Sequence, residues 1–63
     1  MGKKLVTYFE IVGEKAGVPG RMRLSLLTGI TSRTAETKPD SPELLAEFYK
    51  AAKEILGPSA PQL

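Results

Sequence analysis

The sequence predicts a small all-α domain, and two observations favour this class. Apolar residues recur at helical spacing in three segments, at about residues 3–16, 19–28 and 42–56. Glycine and proline separate these segments, as is typical of short links between helices. We therefore expect a three-helix bundle with one short extra helical turn. It would occupy residues 1–57 as a single domain, followed by a flexible tail at residues 58–63.

The N-terminal segment is compatible with two structures. Its β-branched and aromatic residues favour a strand, but their alternation leaves neither side polar. A helix sorts the segment better, because it places Leu5, Tyr8 and Phe9 on one stripe. Gly17 would then end this helix in a left-handed conformation, and Pro19 would prevent its continuation. The alternative fold is strand-helix-helix, which is the order of ribbon-helix-helix proteins.

The middle helix is predicted to begin at Pro19 and to end at Gly29. Thr31 or Ser32 has the side-chain oxygen needed to cap one further turn, which would run through Glu36.

The C-terminal helix has the clearest boundaries. Asp40 or Ser41 is suited to cap its first turn, and Pro42 fits the first helical position, where no N–H is needed. Gly57 and Pro58 end it. Its apolar face is wider than one neighbouring element needs, which indicates contact with two elements or with a partner chain.

All three helices contribute to the predicted core. It consists of Leu5, Phe9, Val12, Met22, Leu26, Leu27, Ile30, Leu44, Phe48, Ile55 and Leu56. A chain of 63 residues buries only about 60% of the surface that its unfolded form exposes, so this core is thin. The chain has neither cysteine nor histidine, so disulfides and the usual zinc ligands do not support it. Association with another chain is the remaining support for so small a fold.

The composition argues against several classes of function. Serine and threonine lack a histidine base, and the carboxylate pairs lie on solvated helix faces, so we expect no enzyme activity. We expect no metal, no cofactor and no small-molecule substrate. No apolar run is long enough for a membrane span, and we expect no membrane partner. The absence of cysteine is compatible with a cytoplasmic location.

We therefore expect a non-catalytic interaction module that forms a homodimer or docks on a larger protein. The apolar helix surface exceeds what so short a chain needs for its own core. The residues expected to remain for a partner are Val6, Ile11, Leu45, Tyr49 and Ala52.

DNA binding is the alternative function. The glycine turn at Gly29, between two helical segments, is similar to the turn of a helix-turn-helix unit. The residues that would contact DNA are Arg21, Arg23, Arg33 and Lys38. The second form of this alternative is a ribbon-helix-helix dimer with its strand in the major groove.

Overall fold

Residues 4–63 are described by the computed structural model. This part of the chain contains helices and no strand: α1 (Lys4–Thr28), α2 (Ser32–Thr37), α3 (Pro42–Leu56) and a 3₁₀ turn (Gly57–Ser59). The all-α class is confirmed. The strand alternative for residues 4–12 is wrong because α1 covers that segment. Lys3, the first residue of the first predicted helix, lies outside the described residues.

α1 is broken at Gly17, where φ is 74° and ψ is −169°. The positive φ expected there is present, but this ψ lies outside the left-handed helical region, in a region that is essentially restricted to glycine. The break divides α1 into a first arm (residues 4–16) and a second arm (residues 18–28). The two helices predicted for residues 3–16 and 19–28 are therefore two arms of one broken helix.

The two arms of α1 pack closely on each other. Gly20 is buried, and a Cβ atom at this position would collide with the Cβ of Ala16 and would lie 3.3 Å from Cγ1 of Val12. The side chain of Arg21 lies over Gly13, in the space that a Cβ there would occupy. These contacts hold the second arm against the first.

Side-chain oxygens cap the starts of the helices. Ser41 Oγ accepts a hydrogen bond from the N–H of Leu44 at 3.1 Å, so Ser41 is the N-cap of α3. Asp40 instead accepts from the N–H of Lys4 at 3.2 Å, which places a carboxylate at the positive end of the α1 dipole. Thr31 is the N-cap of α2. The two residues predicted as alternative caps of α3 therefore cap different helices: Ser41 caps α3, and Asp40 binds the start of α1.

The core lies between α1 and α3, and Phe48 is its central side chain. The Phe48 ring is 5.9 Å from the Tyr8 ring and 5.6 Å from the Phe9 ring, the second pair edge to face. The buried apolar residues are Leu5, Tyr8, Phe9, Val12, Leu24, Ile30, Ala35, Phe48, Ala51 and Ala52. Leu44, Ile55 and Leu56 are half-buried against this cluster.

Three residues of the predicted core are exposed, so the prediction is wrong for them. They are Met22, Leu26 and Leu27, whose side chains are 63%, 82% and 44% exposed. The second arm is apolar on more than one side, and it turns Gly20 and Leu24 inward instead. Periodicity alone does not say which of two apolar faces a helix buries.

The C-terminal residues lie against the helices. The backbone N–H of Leu63 donates to Tyr8 Oη at 3.2 Å, and Lys15 Nζ donates to the carbonyl of Ser59 at 3.4 Å. Ala60 packs against the core cluster. The flexibility of the tail at residues 58–63 stays a prediction.

Candidate interaction surface

An outward-facing stripe on the second arm of α1 contains the three most exposed large apolar side chains of the described residues. It consists of Val18, Met22 and Leu26, whose side chains are 67%, 63% and 82% exposed. The three residues are spaced by four, so they lie along one side of the arm. We call them the outer stripe.

The direction of the outer stripe follows from helix geometry. Met22 lies two positions from Gly20 and two positions from Leu24, and two positions rotate a helix by about 200°. Gly20 and Leu24 are buried, so Met22 points away from the core. The second arm therefore has apolar residues on two opposite faces. A helix that is apolar all round is normally buried on all sides.

The surroundings of the outer stripe are partly apolar and concave. On one side, Pro19 and the stem of Arg23 line a shallow apolar surface together with Met22 and Leu26. On the other side, a groove runs between Val18 and Met22 and the start of α2. The lining of this groove is completed by Phe9, Arg21, Ser25, Thr31 and Ser32. A partner that covered the stripe would therefore also contact the start of α2.

The chain segment that contains the outer stripe carries charge of one sign. Residues 15–35 contain four basic side chains, Lys15, Arg21, Arg23 and Arg33, and no acidic one. Arg21 and Arg23 are exposed and lie on the second arm itself. Each is about 100° around the helix from the middle of the stripe, on opposite sides. Arg23 lines the apolar surface beside Met22 and Leu26, whereas the side chain of Arg21 lies over Gly13 and lines a cleft with Glu10 and Glu36. The positive charge beside the stripe therefore comes mainly from Arg23.

No protein-family model, no curated protein and no solved structure matches this chain. The interpretation of the surface therefore depends on its own chemistry.

The residues predicted for a partner interface lie elsewhere. Val6, Ile11, Leu45 and Tyr49 are half-buried. Leu45 and Tyr49 line a crevice with Gln62 and Leu63, so the C-terminal residues share the surface that was expected to remain free.

Ala52 is buried in the chain's own core, with an exposed fraction of 0%. In this structure it has no surface to offer a partner. It lies on the face of α3 that packs on α1, where a small side chain lets the two helices approach. The apolar face of α3 is thus wide because α1 and the C-terminal residues both contact it.

The residues predicted to contact DNA do not form one face. Arg21, Arg23, Arg33 and Lys38 are all exposed. Arg21 and Arg23 point to opposite sides of the second arm. The helix after the Gly29 turn has only six residues, or about 9 Å of length, and Lys38 follows its end. DNA binding stays a prediction from the sequence.

The other clefts of the described residues show neither an unpartnered buried polar group nor a metal-binding cluster. Val6, Glu10, Arg21, Ser32 and Glu36 line a cleft between α1 and α2. Within residues 4–63, no polar or charged residue is buried, and no buried side-chain nitrogen or oxygen lacks a hydrogen-bond partner. The same residues contain no cluster of three carboxylates placed to hold a metal ion. None of the described helices is both long and apolar enough to cross a membrane.

Proposed function

We propose that this chain is a small non-catalytic interaction module that contacts another protein through the outer stripe of α1. The contact partner is either a second copy or a larger protein. The single observation that carries the proposal is the exposure of Val18, Met22 and Leu26 on a helix arm whose opposite face is already in the core. The proposal replaces the predicted interface residues with this stripe, because the stripe is more exposed and is not shared with the C-terminal residues.

The energetics support this assignment. Removing one large apolar side chain fully from water is worth about 1.5–3 kcal/mol. Three such side chains lie side by side here, on a rigid helix rather than on a loop, so little conformational entropy is lost when a partner binds.

The absence of catalysis and a cytoplasmic location belong to the same proposal. They are supported by the lack of cysteine and histidine in the sequence. They are also supported by the core of the described residues, which contains no buried acidic or basic side chain.

Site-specific cross-linking tests the interface. The chain is produced in its native cells with a photo-activated amino acid in place of Leu26. The matched control has the same amino acid in place of Ala46, which is exposed on α3. We expect a protein adduct from position 26 and none from position 46. An adduct of twice the chain mass identifies a second copy, and a larger one identifies another protein. If position 26 gives no adduct, or if both positions give the same one, the proposal is wrong.

A further inference from the structure

We propose that the outer stripe binds an acidic amphipathic helix of another protein. This inference rests on the proposed function and specifies the chemistry of the partner.

The shape of the stripe fits a helix. Val18 and Leu26 are separated by two turns, or about 12 Å along the axis. A partner helix presents its apolar anchors at intervals of three and four residues over the same length. Its side chains would pack beside Met22 and against Pro19, which already lie on one apolar surface.

The flanking charges define the composition of the partner. Arg21 and Arg23 stand on either side of the stripe, and no acidic residue occurs between Glu14 and Glu36. A partner helix with glutamate or aspartate beside its apolar ridge would meet the guanidinium group of Arg23, which lies beside Met22 and Leu26. Arg21, on the other flank, shares its cleft with Glu10 and Glu36 and contributes less to this attraction. Such pairing of opposite charges beside an apolar seam sets partner choice between helices.

The same charges disfavour a second copy on this surface. A twofold dimer brings identical patches together, so the stripe of one copy would pack on the stripe of the other. The Arg23 side chains of both copies would then flank one desolvated contact, and residues 15–35 contain no carboxylate to neutralise them. Like charges placed together in an interface oppose binding.

The aromatic residues argue against a lipid surface. Helices that lie in a membrane interface commonly insert large aromatic side chains. None of the four aromatic residues of this chain belongs to the stripe: Tyr8, Phe9 and Phe48 are buried, and Tyr49 is half-buried on α3. Phe9 lines the groove beside Val18 and Met22, but its side chain is only 2% exposed and is not free to insert into a membrane. Three aliphatic side chains on one short arm form a small anchor for a membrane.

Designed helical peptides test the proposal. Two peptides of about 18 residues carry the same leucine ridge. One has glutamate and the other lysine at the flanking positions, and their binding to the full chain is measured by fluorescence anisotropy. We expect the acidic peptide to bind about tenfold more tightly, and the difference to shrink in high salt. Leu26→Glu should abolish binding of the acidic peptide, and Arg23→Glu should remove its advantage over the lysine peptide. Lys38→Glu, which makes the same charge change beyond the end of α2, should leave the advantage intact.

Other outcomes overturn the proposal in distinguishable ways. Equal binding of the two peptides, or tighter binding of the lysine peptide, shows that the charge argument is wrong while the proposed function stands. A dimer in sedimentation equilibrium that Leu26→Glu converts to a monomer assigns the stripe to a second copy. If neither peptide binds, and the chain binds vesicles of phosphatidylserine and phosphatidylcholine through Leu26, the stripe is a lipid contact. In that last case the proposed function fails as well.

Discussion

Gly20 lies at a close contact between the two arms of α1, where there is no room for a side chain. Its inward direction also decides which face of the second arm is buried, because Leu24 follows one turn later on the same side. A glycine inside a helical pattern indicates a site of close packing, so Gly20 is a clue in the sequence to the buried face of the second arm. Met22, Leu26 and Leu27 are larger and more numerous, and they favour the wrong face.

A pair of glycine substitutions tests this contact. Gly20→Ala places a Cβ against Ala16 and Val12, whose positions are set by the core, so we expect a loss of about 1–3 kcal/mol in the free energy of unfolding. Gly13→Ala places a Cβ against Cδ and Cγ of Arg21, an exposed side chain that turns aside by rotating about its own bonds. The gain in helix propensity, about 1 kcal/mol, offsets part of the lost contact, so we expect a smaller loss than for Gly20→Ala.

Urea denaturation followed by circular dichroism measures both variants. Because both changes are glycine to alanine in the same helix, their intrinsic propensities cancel in the comparison. Equal stability changes for the two variants would show that the arms of α1 do not contact each other as described.

At the scale of the elements, α3 was predicted with its boundaries at residues 42–56, and these are the observed ones. Its start and end depend on local chemistry: a serine cap, a proline in the first turn and Gly57 after the last one. Local signals of this kind do not depend on the rest of the fold. The break of α1 at Gly17 was expected from glycine and proline in the same way, but which face of its second arm is buried depends on contacts with the first arm.

The cap of α3 provides a prediction at this scale. Ser41→Ala removes the acceptor for the Leu44 N–H, and we expect a loss of about 1 kcal/mol in the free energy of unfolding. Ser41→Asp keeps an acceptor at the same position and adds a favourable charge at the start of the helix, so it should retain the stability.

Thermal and urea unfolding of the two Ser41 variants measure this effect. The dependence of the unfolding free energy on urea should stay constant, since the surface exposed on unfolding is unchanged. A Ser41→Ala variant as stable as the parent chain would mean that the cap contributes nothing, and that Pro42 and Glu43 suffice to start α3.

At the scale of the whole molecule, stability depends on a few large side chains that join α1 to α3. Phe48 contacts both Tyr8 and Phe9, and all three are buried. Phenylalanine to alanine changes in a core cost about 3–5 kcal/mol. Domains of this size rarely have more than about 3–5 kcal/mol in total from one core.

We therefore expect Phe48→Ala to lose cooperative unfolding altogether, and Phe48→Leu to remain folded with a lower midpoint. Tyr49→Ala is the matched control, since Tyr49 is the neighbouring aromatic residue and is only half-buried. It should cost less than Phe48→Ala in calorimetry and in near-ultraviolet circular dichroism. A folded Phe48→Ala variant with an unchanged midpoint would contradict the assignment of Phe48 to the centre of the core.

The sequence by itself determined the all-α class, the limits of α3 and the burial of Phe9, Val12 and Phe48, and it limited the cap of α2 to Thr31 or Ser32. These features follow from side-chain capping, from proline and glycine, and from helices with a single apolar face, all of which are local. Only the tertiary structure decided which face of the second arm of α1 enters the core. That arm has apolar residues on two faces, and the steric fit of Gly20 against Ala16 and Val12 selects one of them. The other face, with Val18, Met22 and Leu26, is thereby left outside as the candidate interaction surface.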